Sequence, residues 1–360
     1  MARKSKSLRK LLHESTQCVM APCVYDCASA RAVEMVGFPA MMLSGGEVSI
    51  AMNGVIDYGF TNLTDLEWIT SRISQTSGIP LAADIEDGFG GPIAVYRSAR
   101  RMVMAGAKAI QLEDAGDMEE STELLPREKY YEKVRAALAA LDGTDCILIA
   151  RTNADPATQL DEGIERMRRA HELGAEMTTV VKLTKIEDAR RVAKGVPGWK
   201  MYPDVATWNG VPEITAEECY ALGFNFLTTH YTLKAAMDGM LEHGKRNFAE
   251  QGVSYTCMKE DATGIKGMSA TPLFDPQSYM ELQSRFGGQR KEYTIVGNKV
   301  EEFPAGFVRT PIDDRLQASR MNTGATTPRR PGHRPRAAGW RCCCWRLPAS
   351  SRNGIARSST

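Results

Sequence analysis

The sequence predicts an α/β protein folded as a (β/α)8 TIM barrel, and three observations carry that expectation. Eight short apolar runs alternate strictly with eight amphipathic segments, the pattern of βα units around a parallel sheet. Four of the amphipathic segments end in a glycine just ahead of the next apolar run. Polar and charged side chains then collect immediately after the runs, at the end of a barrel where chemistry gathers.

The elements follow in order. A first strand is expected at about 18–24 and a helix at 26–36, closed by Gly37 ahead of strand 39–43. Helix 65–77 leads to strand 80–84, and helix 94–105, ending at Gly106, leads to strand 108–112. Helix 126–141 opens Pro126-Arg127-Glu128, with proline in the first turn, where its missing N–H costs nothing. Strand 145–150 and helix 160–173 follow, then Gly174 and strand 177–181. Helix 185–194, strand 199–202, helix 215–222, Gly223, strand 225–229 and helix 231–247 complete the pattern. Glycine after a helix accepts the left-handed backbone that ends it. The competing architecture is an open doubly wound sheet. No Gly-x-Gly-x-x-Gly follows the first strand, which counts against a dinucleotide fold.

Composition excludes several classes. Of 360 residues, 43% are hydrophobic and 25% charged, enough for a sizeable core. No apolar run approaches the roughly 18 residues of a membrane helix. The basic start Met1-Ala2-Arg3-Lys4-Ser5-Lys6-Ser7-Leu8 has no apolar segment behind it, so it is not a secretory signal. A cytoplasmic protein without a membrane partner is expected. Eight arginines, with no acid or lysine, fall within 321–360, so an overall charge of +1 leaves −7 on the rest. An acidic body is not a nucleic-acid binder. The nine cysteines form no Cys-x-x-Cys pair, as expected for reduced thiols.

Three regions are expected. Residues 1–250 form the catalytic barrel. Residues 251–315 carry further helix signals, such as Pro276 to Leu282, and form a helical extension with oligomer contacts. Residues 316–360, rich in Pro, Arg, Gly and Ser, are expected to be a disordered tail.

The strand ends deliver the candidate site. They present Tyr25 and Asp26; Ser44, Gly45, Gly46 and Glu47, with Asp57 in the following loop; Asp84, Glu86 and Asp87; and Glu113 and Asp114. Beyond these come Arg151, Thr152 and Asn153; Lys182; Asp204; and His230. Clustered carboxylates raise one another's pKa. A hard divalent cation, Mg²⁺ or Mn²⁺, relieves that repulsion; the alternative is a solvated acidic rim. Arg151 is placed to grip a substrate carboxylate or to pair with one of the acids. Ser44-Gly45-Gly46 can offer backbone N–H groups, or is a plain tight turn. His230 has two readings, a catalytic or substrate-binding histidine and a packed one.

These stretches together resemble the isocitrate lyase/phosphoenolpyruvate mutase superfamily. The matching runs are Tyr25-Asp26-Cys27-Ala28-Ser29-Ala30, Leu43-Ser44-Gly45-Gly46, Asp57-Tyr58-Gly59-Phe60, Asp84-Ile85-Glu86-Asp87-Gly88-Phe89-Gly90, Gln111-Leu112-Glu113-Asp114 and Ile149-Ala150-Arg151-Thr152-Asn153-Ala154. The resemblance implies a barrel whose last helix is swapped within a dimer of dimers. It implies Mg²⁺ (or Mn²⁺) held by Asp84, with Asp57, Glu86 and Glu113 acting largely through water. It implies an α-keto or 2-hydroxy acid substrate bound by Tyr25, Ser44, Gly45, Gly46, Arg151 and Asn153, with Arg151, His230 and Glu113 in the chemistry. The shared chemistry is a metal-stabilised enolate.

The chain departs from the family pattern after strand 4. The lyases carry a Lys-Lys/Arg-Cys-Gly-His run there, whereas residues 115–125 contain no Cys, Lys or His. This argues against ordinary isocitrate or methylisocitrate cleavage. A decarboxylase branch also lacks that Cys and has a His after strand 8, as His230 stands here. The expected function is therefore a Mg-dependent carbon–carbon lyase or decarboxylase acting on a small oxaloacetate-type acid. A phosphonopyruvate-type mutase or hydrolase and a non-catalytic barrel are the alternatives.

Overall fold

In the computed structural model the described residues are 6–116, 124–204 and 214–250, with the short stretches 281–282, 285–286, 295–296 and 299–300. Eight strands close a barrel in sequence order: β1 (Val19–Val24), β2 (Met41–Leu43), β3 (Leu81–Asp84), β4 (Ala109–Glu113), β5 (Ile147–Thr152), β6 (Met177–Val180), β7 (Trp199–Tyr202) and β8 (Phe226–Thr229). All neighbours are parallel, and β8 returns to β1 through Val19 opposite Phe226.

Ten helices are described. They are α1 (Leu8–Glu14), α2 (Cys27–Val36), α3 (Gly45–Val48), α4 (Leu63–Thr76), α5 (Pro92–Ala105), α6 (Arg127–Leu141), α7 (Pro156–Leu173), α8 (Ile186–Gly195), α9 (Ala216–Leu222) and α10 (Thr232–Glu250). Gly37, Gly106, Gly174 and Gly223 close α2, α5, α7 and α9 with positive φ, as their placement before each strand predicts. The expected eight-fold alternation stands, with boundaries shifted by a few residues.

Two elements go beyond the sequence reading. α1 is capped by Ser7, which accepts the Lys10 N–H, and buries Leu8 and Leu12. Those two residues are one helical turn apart and pack with Val19, Ala21, Met177 and Phe226 inside the barrel, closing its floor. α3 begins directly after β2 with Ser44 as its cap, and a π turn over Ser49–Asn53 follows. The Ser44-Gly45-Gly46 stretch is thus a helix start rather than a plain turn.

Two apolar layers organise the molecule. One lies between strands and helices; it includes Val24, Leu43, Ala83, Ile110, Leu112, Leu148, Ala150 and Val180. The other fills the barrel with the alternate residues, including Ala21, Cys23, Met42, Ala82, Ala109, Ile147, Ile149 and Met201. Period-two alternation separates the two sets. The inward phase therefore passes through Cys23, Ser44, Asp84, Glu113, Arg151 and His230 as each strand ends.

Among the described residues no helix is long and apolar enough to cross a membrane. The expected tail, 316–360, lies outside the described residues. So does most of the expected extension, 251–315, whose described part includes an antiparallel pair of two-residue strands, Ile295–Val296 with Lys299–Val300. Residues 117–123 of the loop after β4 also lie outside.

Candidate active site

A cavity of about 710 Å³ opens over the C-terminal ends of the strands. Ser44, Gly46, Asp57, Asp84, Arg151 and His230 line it, together with Cys23, Glu47, Gln111 and Asp204. Met42, Ile50, Val181, Met201, Leu233 and Met237 supply an apolar wall.

Arg151 is the hub of the acidic side. Its Nη2 lies 2.9 Å from Glu113 Oε2 and its Nη1 lies 3.5 Å from Asp84 Oδ2. Its Nε donates to Asn153 Oδ1 at 3.0 Å, and Asn153 Nδ2 donates to Glu113 Oε2 at 3.1 Å. Burial works against its charge, but Glu113, Asp84, Glu86 and Asp57 outweigh that and raise its pKa further. Arg151 is therefore paired with acids and also faces the cavity.

The carboxylates are not balanced by that one cation. Burial pushes the Asp84 carboxyl up to about 6, with Arg151 opposing the shift and Glu113 adding to it. Glu86 is raised well above the ordinary carboxylate range, by burial first and then by Asp84, Glu113 and Asp57. Its backbone is left-handed, with φ 50°, and its N–H donates to Asp84 Oδ1 at 2.9 Å. Its buried Oε1 has no hydrogen-bond partner among the described residues, and neither has Gln111 Oε1. Unpartnered buried acceptors call for an explanation such as a missing ion or water. A Cβ on Gly45 would stand 1.8 Å from Glu86 Oε1, so glycine is what lets this carboxylate approach α3.

These observations fit a hydrated hard cation. The donors are all carboxylate oxygens, crowded and partly orphaned. Among the described residues no three His, Cys, Asp or Glu side chains converge to enclose an ion directly. Mg²⁺ is typically held through one or two carboxylates and keeps several waters, so a carboxylate group that does not enclose the ion is compatible with it.

Some expected residues fall elsewhere. Tyr25 is not part of the cavity lining; it packs against the outer apolar layer, because β1 ends at Val24 and Asp26 already caps α2 by accepting the Ser29 N–H. Asn153, Glu113, Glu86 and Gly45 stand behind the lining, each against a residue just described. Asp87 pairs with Lys133 at 2.9 Å. Asp114 is buried on the outer side of the barrel with Arg166 at 3.0 Å.

The opposite wall sets His230 beside two residues to which the sequence assigns no role, Cys23 and Glu47. His230 Nδ1 is 3.2 Å from Glu47 Oε1, and its Nε2 is 3.4 Å from Cys23 Sγ. Following the inward phase Val19, Ala21, Cys23 one step further would have pointed to the thiol.

A closed parallel barrel that presents carboxylates, a guanidinium and an imidazole to one cavity has the arrangement of a barrel enzyme. The chain belongs to the phosphoenolpyruvate mutase family: the family model described as phosphoenolpyruvate phosphomutase matches residues 8–247. It is similar to 2-methylisocitrate lyase of Aeropyrum pernix, 30% identical over 79% of this chain and 91% of that one. It is also similar to petal death protein of Dianthus caryophyllus, 29% identical over 79% and 89% of the two chains. Among solved structures, oxaloacetate acetylhydrolase superposes with a TM-score of 0.70 at 28% identity, covering 79% of this chain and 99% of that one. The chain is thus a lyase-type enzyme of the isocitrate lyase/phosphoenolpyruvate mutase superfamily.

Proposed function

We propose that this enzyme breaks a carbon–carbon bond in a small oxaloacetate-type acid, with loss of CO2 and formation of a pyruvate enolate. The observation that carries the reading is the Arg151 guanidinium at the cavity, fixed between Asp84 and Glu113. A fixed planar cation is suited to a carboxylate. Asp84 would hold Mg²⁺ or Mn²⁺, with Asp57, Glu86 and Glu113 around its waters. When bound, the ion supplies Lewis-acid stabilisation of developing negative charge.

The chain's own residues do the rest. Arg151 binds the retained carboxylate. Ser44 Oγ accepts the Glu47 N–H at 3.3 Å, which leaves its hydroxyl hydrogen free to donate to substrate. Gly46, beside it on the lining, presents no side chain to block approach. The bond to the departing carboxylate breaks, its electron pair moves into the keto group, and CO2 leaves. The wall around His230 then delivers a proton to the enolate carbon. The apolar wall keeps water from that carbon.

A phosphonate substrate would bring extra negative charge against Glu47, Asp57, Asp84 and Asp204, all on the same lining, which favours the carboxylic acid. Exposed apolar residues on α10, namely Met240, Leu241 and Phe248, support a homo-oligomer packed through this helix.

The test is pyruvate release from oxaloacetate with Mg²⁺, with and without EDTA, after subtraction of the metal-only rate. Turnover that EDTA abolishes and Arg151→Lys lowers at least about tenfold supports the reading. No release above the metal-only rate overturns it for oxaloacetate, and release from phosphonopyruvate instead would transfer the site to P–C cleavage.

A further inference from the structure

With the carboxylates on the acidic side of the cavity assigned to the cation and Arg151 to the substrate carboxylate, the enolate needs a separate proton donor. The opposite wall has one. Cys23 is the last inward residue of β1 and sits on the lining. Its Sγ is 3.4 Å from His230 Nε2, and Glu47 Oε1 is 3.2 Å from Nδ1 of the same ring. Thr232 braces the set: its hydroxyl donates to the Cys23 carbonyl at 2.7 Å and lies 3.4 Å from Glu47 Oε2. Thiol, imidazole and carboxylate stand in a row, supplied by β1, the residue after β8, and α3. Cys23 and Glu47 are buried, while the His230 side chain keeps 43% of its surface.

The order of the row assigns the roles. Both ring nitrogens are engaged, so His230 cannot give a proton straight to a ligand without abandoning one partner. The thiol is the member at the inner end, and the imidazole edge is the member that meets water. A reactive group partnered by a base, itself oriented by a third group, is the logic of an activated triad. We propose that Cys23 is the proton donor to the product enolate, with His230 relaying protons to it and Glu47 positioning the ring. This rests on the reading of the site as a lyase that leaves an enolate.

The step balances without a redox partner. The enolate carbon takes the S–H proton, so a C–H bond forms, the S–H bond breaks, and the electron pair stays on sulfur. The imidazolium returns its Nε2 proton to the thiolate, and water at the exposed ring edge reprotonates the imidazole. Burial pushes the Cys23 thiol up, so it holds the proton a donor needs. Once that proton has left, the Cys23 thiolate first, and then Glu47, push His230 up toward the imidazolium that returns a proton to sulfur.

The deciding experiment is exchange of pyruvate methyl protons in D2O with Mg²⁺, followed by proton NMR. It isolates the proton transfer and needs no carbon–carbon substrate. The wild type is expected to catalyse exchange, and Cys23→Ser is expected to lose it by about 100-fold or more while binding oxalate within about threefold of wild type. Glu47→Gln should retain more exchange than Glu47→Leu, because the amide oxygen still accepts from Nδ1. His230→Gln leaves β1 untouched and should lose exchange at least about tenfold, which keeps the test decisive where Cys23→Ser does not fold. Cys23→Ser exchanging within about threefold of wild type would overturn the assignment, as would a wild type with no exchange above Mg²⁺ alone. Cys23-dependent exchange without oxaloacetate turnover would move the lyase to another substrate and leave the donor in place. Oxaloacetate turnover with Cys23-independent exchange would remove the donor alone.

Discussion

Glu113 and Asp114 are neighbours on one strand end and face opposite sides of the barrel wall, as do Arg151 and Thr152. The outward set is saturated. Asp114 accepts the Asn153 N–H at 2.8 Å, the Thr152 hydroxyl at 2.7 Å and Arg166 Nη1 at 3.0 Å, and Arg166 continues to Glu162, which also pairs with Arg127. The inward set is the reverse: Asp57, Asp84, Glu86 and Glu113 share one guanidinium, and a buried Glu86 oxygen has no partner among the described residues. Buried charge with every hydrogen bond made locks α7 to the barrel. Buried carboxyl groups left unbalanced, with a left-handed backbone at Glu86, are strain stored on the cavity side of the wall.

That contrast can be broken from either side. The largest expected effect is on chemistry. Asp84→Asn should lower metal-dependent turnover by about 10³-fold or more, since the Lewis acid is worth several kcal/mol, with little loss of stability in a denaturant titration. On the outward side the effect is on folding: Asp114→Ala strands Arg166 in the wall and should cost about 3–5 kcal/mol, read as a lower denaturant midpoint, with the response to Mg²⁺ retained. Gly45→Ala sharpens the inward side. Its Cβ must displace Glu86, which should cost about 1–3 kcal/mol and weaken Mg²⁺ binding in a calorimetric titration.

The smallest effect is on pH dependence. Arg127 first, and Arg166 with it, lower the Glu162 carboxyl from 4.5 to about 2. A depressed carboxylate stabilises the fold above its unfolded value and loses that contribution as pH falls from about 4.5 toward 2. Glu162→Gln should therefore flatten the decline in thermal midpoint over that window while changing it little at pH 7, since exposed pairs contribute at most about 1 kcal/mol.

The barrel was legible because its signals are local. Alternating apolar runs and the glycines at 37, 106, 174 and 223 need no tertiary information. The acidic and guanidinium residues were legible because strand ends are where a barrel displays them. α1 was not, since a seven-residue helix gains its stability from Leu8 and Leu12 closing the barrel floor, a contact only the closed sheet creates. Tyr25 stands outside the cavity lining because the strand stops one residue short of it. Cys23 escaped notice as one apolar residue among six, and only the phase of alternation along β1 marks it as inward. Asp114 read as a site acid because its sequence places it beside Glu113, and the pleat sends it the other way.

The central claim is that the inward cluster, and not the outward one, holds a divalent cation through Asp84. Thermal unfolding with increasing Mg²⁺ tests it most directly, because an ion that binds only the folded state raises the midpoint with concentration. The account predicts a rising midpoint for the wild type and for Asp114→Asn, and a flat response for Asp84→Asn. An Asp84→Asn protein that responds to Mg²⁺ as the wild type does would contradict it.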